Sequence, residues 1–464
     1  MFPRCADFLF VFLVLVKMEI NDLNKQIGKI DVSGVKRPEI LAPAGNFEKF
    51  TAAIEYGADA VYLAGTDFGM RATDNFTDDE LDKAIKYAHA RGKRVYITVN
   101  IMPRDDEYPA LIEYLGLLAY LKPDAVIVAD LGVLALAREI LSPHGIDLHV
   151  STQASIVSSY VCKEYARLGA SRMILARELS LRDIRRIKDV VGDSLELEAF
   201  VHGAMCVSYS GMCLLSENMT GRDANHGKCT QPCRWRWRAE GIEKPENEEY
   251  VHAVSFREEK RPDDYYTLLE DRRYGSFVLS SRDMCMIEHL DKLIEAGVSS
   301  FKIEGRMKSA YYAAAVTNAY KIALDDVMAG RPFNKKLLDE VSCVSHREYS
   351  TGHFFGGDEF ISDELRATPG VCTSDGYIRE KAYLATVLHY SSDAKVASLI
   401  QRNKLKVGDK CELLSPGKTG VPFEIISITD VDGNTLDSAP HPGMYFSIPL
   451  PIEAKPGDII RGIG

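Results

Sequence analysis

The runs EILAPAG (39–45), AVYLAG (60–65), VYITVN (95–100) and AVIVAD (125–130) decide the fold. Each is a short, β-branched, continuously apolar stretch, the pattern of a strand buried on both faces. Between them lie amphipathic helical stretches, and helical connectors between buried strands imply parallel crossovers. Working outward, LHVSTQ (148–153), RMILAR (172–177), LEAFVHG (197–203) and SFKIEGR (300–306) continue the series to eight strand–helix units. Thr77 to Glu80 spells a capping box, and Gly57, Gly92, Gly169 and Gly297 stand where helices should stop. The expected fold is α/β: a (β/α)8 TIM-like barrel with a long insertion after strand 7 and a small C-terminal antiparallel β-barrel. No glycine-rich phosphate fingerprint follows the first strand, which weakens the competing dinucleotide-binding sheet.

The chain of 464 residues is too long for one ordinary core. Its composition divides it into an N-terminal extension (1–35), a barrel (36–330) whose polar insertion spans 218–276, a Gly- and Pro-marked connector (331–380) and a strand-rich C-terminal unit (381–464). Residues Phe8 to Val16 are an apolar run of nine, below the roughly 20 needed to span a bilayer. Asp7 lies where a leader should be basic, and Met18 opens the polar stretch that follows, so residues 1–17 read as a start-site artefact. No stable membrane association and a cytoplasmic location are expected. The net charge of −11 excludes wholesale nucleic-acid coating and leaves room only for a local basic patch.

In such a barrel, catalytic groups belong where strands end. The strand ends here carry Asn100, Asp130, Gln153, Glu178, His202, Glu304 and Arg306, with Lys302 just inside. Cys206, Cys213, Cys229 and Cys233 follow the seventh strand with spacing Cys-x6-Cys-x15-Cys-x3-Cys. Only ten cysteines occur in all, and the surroundings read as cytosolic, so a soft-metal centre is a better reading than disulfides. Zinc favours paired short knuckles, whereas an iron–sulfur group needs only four converging thiolates. Spacing leaves both open, along with free thiols; the rim context favours [4Fe–4S]. Cys285 is a fifth thiol that could replace Cys233 as a ligand. Arg234-Trp-Arg-Trp-Arg238 alternates guanidinium and indole groups, so Arg234 and Trp235 are candidate RNA contacts, with a half-buried strand as the plainer alternative.

The run Glu198-x-Phe200-x2-Gly203-Ala-Met-Cys206-x4-Gly211-x-Cys213-x-Leu-Ser216, with ILAPAGN at 40–46 and FKIEGRMKS at 301–309, resembles the peptidase U32 family over nearly all of the chain after Met18. Within it, the chain looks most like the prephenate-dependent tRNA uridine hydroxylases. That resemblance implies hydroxylation of the wobble uridine to 5-hydroxyuridine, a [4Fe–4S] cluster on Cys206, Cys213, Cys229 and Cys233, and prephenate as co-substrate. It also implies contact with the tRNA anticodon region. His202, Glu178 and Glu304 are then the candidate catalytic groups. Arg306, Lys302, Asn100, Gln153, Arg234 and Trp235 are the candidate substrate contacts, Arg306 first because it can grip a carboxylate bidentately. The alternative is the collagenase-like peptidase for which the family is named, built on Cys206 and His202; no nucleophile elbow or His-Glu-x-x-His stretch supports it.

Overall fold

The computed structural model describes residues 34–70, 75–235, 250–258, 261–271, 281–356 and 378–462. The supposed start-site artefact (1–17) and the Arg–Trp run beyond Trp235 lie outside them. Seven strands follow in order: β1 (Glu39–Pro43), β2 (Ala60–Leu63), β3 (Arg94–Val99), β4 (Ala125–Val128), β5 (Asp147–Val150), β6 (Arg172–Ile174) and β7 (Glu196–Ala204). A hairpin, β8 (Tyr250–Glu258) and β9 (Arg261–Asp271), occupies the insertion; β10 (Asp283–Cys285) and β11 (Ser300–Ile303) follow. Strands β1 to β7 pair in parallel in sequence order, and β11 pairs in parallel with both β1 and β7. Eight parallel strands therefore close a barrel, as the apolar runs require.

The crossover helices begin where the sequence supplies caps. Asn46 caps α1 (Phe47–Glu55), and Thr77 with Glu80 forms the expected capping box on α2 (Asp78–His89). Helix α3 (Tyr108–Leu121) starts beside Pro109. Asp130 caps α4 (Leu131–Ile140) by accepting from the Val133 amide, which makes it a helix cap. Ser158 caps α5 (Ser159–Arg167), and Ser180 with Asp183 boxes α6 (Leu181–Val191). Gly57, Gly92, Gly169 and Gly297 all have positive φ, the conformation glycine adopts past a helix end.

Inside the barrel lies an ionic network that the apolar runs do not reveal. Arg172 is 2% exposed and donates to Glu39 (2.7 Å), Glu198 (3.1 Å) and Glu196 (2.5 Å). Glu198 also takes Lys302 Nζ at 2.8 Å, while Tyr96 and Arg94 reach Glu39. Each buried charge is thus met by an opposite one, the condition for keeping such groups out of water.

Two departures from a plain barrel matter for the site. Strand β10 runs antiparallel on the outer edge of β7, and β12 (Tyr349–Ser350) extends it. The pairing of β7 with β11 slips between Lys302 and Ile303, which oppose Phe200 and His202. Helices α7 (Leu215–Thr220), α8 (Leu290–Glu295), α9 (Ala310–Met328) and α10 (Lys336–Ser342) complete the described barrel region. Helix α10 lies in the segment read as a connector, and its Leu337 and Val341 are fully buried.

The C-terminal unit is a curled antiparallel sheet of eight strands. Its order is 421–424, 410–414, 459–462, 383–391, 396–401, 445–449, 428–430 and 435–436. Arg461, fully buried, joins Glu412 of this sheet to Glu340 of α10 at 2.7 and 2.8 Å. Tyr56 donates to the Leu414 carbonyl and Asn318 to that of Lys418, both at 2.8 Å. These buried polar ties fix the sheet against α1, α9 and α10. Among the described residues, no helix is long and apolar enough to cross a membrane.

Candidate functional site

Cys206, Cys213, Cys229 and Cys233 all line one cavity at the C-terminal mouth of the barrel. The loop carrying the first two is tied to the loops after β5 and β6. Ser210 donates its amide to Glu178 Oε1 at 2.8 Å and its hydroxyl to the same oxygen at 3.2 Å; Ser155 Oγ donates to the Ser210 carbonyl. Gly211, at φ +77°, lets this loop lie directly on the Gln153 backbone. The second pair is drawn in through α7. Ser216 Oγ accepts from the Thr230 amide at 3.0 Å, and Asn225 donates to the Cys213 carbonyl at 3.3 Å.

Donors already face the sulfurs. Ser208 Oγ stands 3.3 Å from Cys213 Sγ, the Gln231 amide 3.4 Å from Cys229 Sγ and Arg177 Nη1 3.8 Å from Cys206 Sγ. Burial pushes the Cys233 thiol up; Arg234 opposes this, while Cys206 and Cys229 reinforce it, so these sulfurs lie within electrostatic reach of each other. Among the described residues, no three His, Cys, Asp or Glu side chains are gathered tightly enough for a single metal ion.

Asn100, Gln153, Lys302, Glu304, Arg306 and Arg234 share the cavity walls. Arg306 is 5% exposed and donates Nη2 to Asn75 Oδ1 at 2.6 Å. Glu304 Oε2 accepts from Tyr62 at 3.3 Å. Asn100 bridges Ser151 Oγ and the Met70 amide, each at 3.3 Å. Lys302 reaches the cavity, yet its ammonium sits over the Tyr62 ring at 4.4 Å and is bonded to Glu198. Burial lowers its pKa against the opposing pull of Glu198. Arg234 donates to Gln231 Oε1 at 2.8 Å, and Trp235 beside it is partly exposed.

Four candidates lie outside the cavity lining: Trp235, His202, Glu178 and Cys285. His202 is 1% exposed, enclosed by Tyr312, Tyr320 and Tyr349 with ring centroids 5.2–6.0 Å away. Its nitrogens face the hydroxyls of Tyr320 and Tyr349 at 3.3 Å, and burial holds its pKa down to about 3. The slip between β7 and β11 breaks the alternation that would have aimed it inward. Glu178 holds Ser210 and thereby the cysteine loop. Cys285 packs against Tyr320 (3.9 Å), with burial pushing its thiol up to about 11.

The strand-end reading missed Arg177 and Tyr62, both in the cavity wall. Arg177 is the last residue of the run RMILAR, one position before Glu178, so its place was readable from the same rule.

The family model "Peptidase family U32" matches residues 45–364, and "Peptidase family U32 C-terminal domain" matches 379–461. The tRNA hydroxylation protein P1 of Bacillus subtilis is 35% identical over 435 residues, covering 92% of this chain and 95% of that one. A 23S rRNA 5-hydroxycytidine synthase of Escherichia coli is 34% identical over 299 residues, covering 64% of this chain and 40% of that one. A protein named collagenase from Porphyromonas gingivalis is 27% identical over 436 residues, covering 90% of this chain and 96% of that one. The chain belongs to peptidase family U32 and carries that family's C-terminal domain.

Proposed function

We propose that this chain is an RNA-modifying enzyme that hydroxylates the wobble uridine of tRNA to 5-hydroxyuridine, using a [4Fe–4S] group and prephenate. The observation that carries the reading is the lining of a single cavity by all four clustered cysteines, beside Arg306 and Glu304, at the barrel face where catalysis is expected. The donor set fits the group in kind: four thiols line one cavity, three with a hydrogen-bond donor near the sulfur. Cys206, Cys213, Cys229 and Cys233 would hold it. When bound, it supplies the electron transfer that protein side chains cannot. The names of the relatives from B. subtilis and E. coli support hydroxylation of RNA.

The chain's own residues take the remaining roles. Arg306, steered by Asn75, binds the carboxylate of the co-substrate through its planar fork. Lys302 balances Glu198 below the cavity and keeps the floor neutral. Glu304, held by Tyr62 at Oε2, stands in the cavity wall as the carboxylate that meets the base or the co-substrate. A uridine in an anticodon loop is unpaired, so turning it into a cavity costs less than opening a duplex. Arg234, in the cavity wall, is placed to take phosphate, and the exposed Trp235 beside it to take a base.

A peptidase working through Cys206 and His202 is less well supported, because the His202 nitrogens face Tyr320 and Tyr349. The test is mass analysis of tRNA nucleosides from a strain lacking the gene. Loss of hydroxyuridine derivatives, restored by the wild-type chain but not by Cys229→Ser, supports the proposal. Unchanged nucleosides would remove the substrate.

A further inference from the structure

Arg177 is a cation that the roles above leave unused. It stands three residues past the end of β6, and its guanidinium carbon lies 4.1 Å from the centroid of the Phe200 ring. Phe200 is itself 6% exposed and belongs to β7, so the surface under the guanidinium is fixed by the barrel wall. The Arg177 backbone amide donates to Ser210 Oγ at 3.2 Å, tying the residue to the loop between Cys206 and Cys213. Among the described residues, no carboxylate pairs with it. Its one side-chain hydrogen bond among them runs from Nη1 to Cys206 Sγ, at 3.8 Å.

We infer that Arg177 sets the reduction potential of the iron–sulfur group by holding its charge against the Cys206 sulfur. This rests on the iron–sulfur reading above. One-electron reduction of a four-thiolate cluster adds a negative charge to a group that is already negative, with no bond made or broken and no proton moved. A fixed cation beside one sulfur stabilises the reduced form more than the oxidised form, and hydrogen bonds to cluster sulfurs act in the same direction. The aromatic face beneath Arg177 matters because it orients the guanidinium without neutralising it; a carboxylate there would cancel the effect. Arginine suits this position better than lysine, since its flat guanidinium stacks and donates at once.

The test is an anaerobic redox titration of the purified, cluster-loaded full chain, with dithionite as electron donor and the reduced signal followed by electron paramagnetic resonance. Wild type is compared with Arg177→Met, which removes charge and donor, and with Arg177→Gln, which keeps an N–H but no charge. Iron content is measured in each. At equal iron content, both variants are expected to titrate at lower potential, with at least a tenfold change in the reduction equilibrium for Met, about 59 mV for one electron. If Arg177→Met loses iron too readily to titrate, Arg177→Gln decides alone. Variants that load iron as wild type does and titrate at the wild-type potential overturn the inference while leaving the iron–sulfur reading intact. So does an unchanged potential accompanied by weakened binding of a carboxylate co-substrate, which would make Arg177 an anion contact. Wild type that takes up no iron sinks both together, and is a distinct result.

Discussion

Replacing Gly211 with alanine should empty the cysteine site while leaving the barrel folded. Gly211 is at φ +77°, where an L side chain is strained by about 1–2 kcal/mol. An added methyl would stand 2.7 Å from the Gln153 carbonyl carbon and 2.9 Å from its Cα, with the carbonyl oxygen nearer still. Ordinary carbon contacts begin near 3.5 Å, so relieving the carbonyl carbon alone takes a retreat of ~0.8 Å, and the nearer oxygen demands more. Its opponent is backbone, held in a short helical turn that Ser151 caps, and cannot swing aside as a side chain would. The retreat carries Ser210 away from Glu178 and shifts Cys206 and Cys213 relative to Cys229 and Cys233. A stability loss of about 1–3 kcal/mol is expected, a few degrees of melting temperature in a chain of this size. The main loss should be in iron and acid-labile sulfide per chain after anaerobic reconstitution, read beside circular dichroism. A variant that keeps both wild-type iron and wild-type melting would refute the claim that loop docking places the thiols.

Three further outcomes follow from the buried groups. Arg172→Met leaves Glu39 and Glu198 short of a partner and should cost about 3–5 kcal/mol in urea unfolding. His202, held at about 3 when folded against 6.5 when free, lets the unfolded chain bind a proton that the folded chain refuses, so its contribution is lost as pH falls from 6.5 towards 3. His202→Phe should therefore flatten the acid limb of a stability–pH curve by about 2 kcal/mol at pH 5, and an unchanged limb would count against the tyrosine enclosure. Glu178→Ala strands the Ser210 amide and should lower iron retention without moving the pH profile of the reaction; a shifted profile would restore Glu178 to acid–base chemistry.

The barrel was legible because buried parallel strands are written as unbroken apolar runs, and its helix starts because caps are local chemistry. Asp130 shows the limit of reading strand ends one by one: it looks like a site residue and serves as an N-cap. His202 shows another. Alternation along β7 points it inward, and only the slip opposite Lys302 and Ile303 turns it to the tyrosines. That slip depends on partner strands, not on β7 itself. Strand β10 is three residues long and antiparallel, too short for any periodicity to announce it. The Arg172 network was hidden because its members, Glu39 on β1, Arg172 on β6 and Glu196 and Glu198 on β7, stand near the starts of separate apolar runs and meet only when the barrel closes. The cysteines were legible as a group because their spacing is dense, and the structure places the four of them, without Cys285, on the same cavity.

Iron and acid-labile sulfide counted per chain in anaerobically purified protein, with each of Cys206, Cys213, Cys229 and Cys233 changed in turn to serine, bears most directly on the shared thiolate site. About four of each per wild-type chain, with a marked fall in all four variants and none in Cys285→Ser, is the expected result. A colourless wild type, or full iron in any one of the four variants, would contradict it.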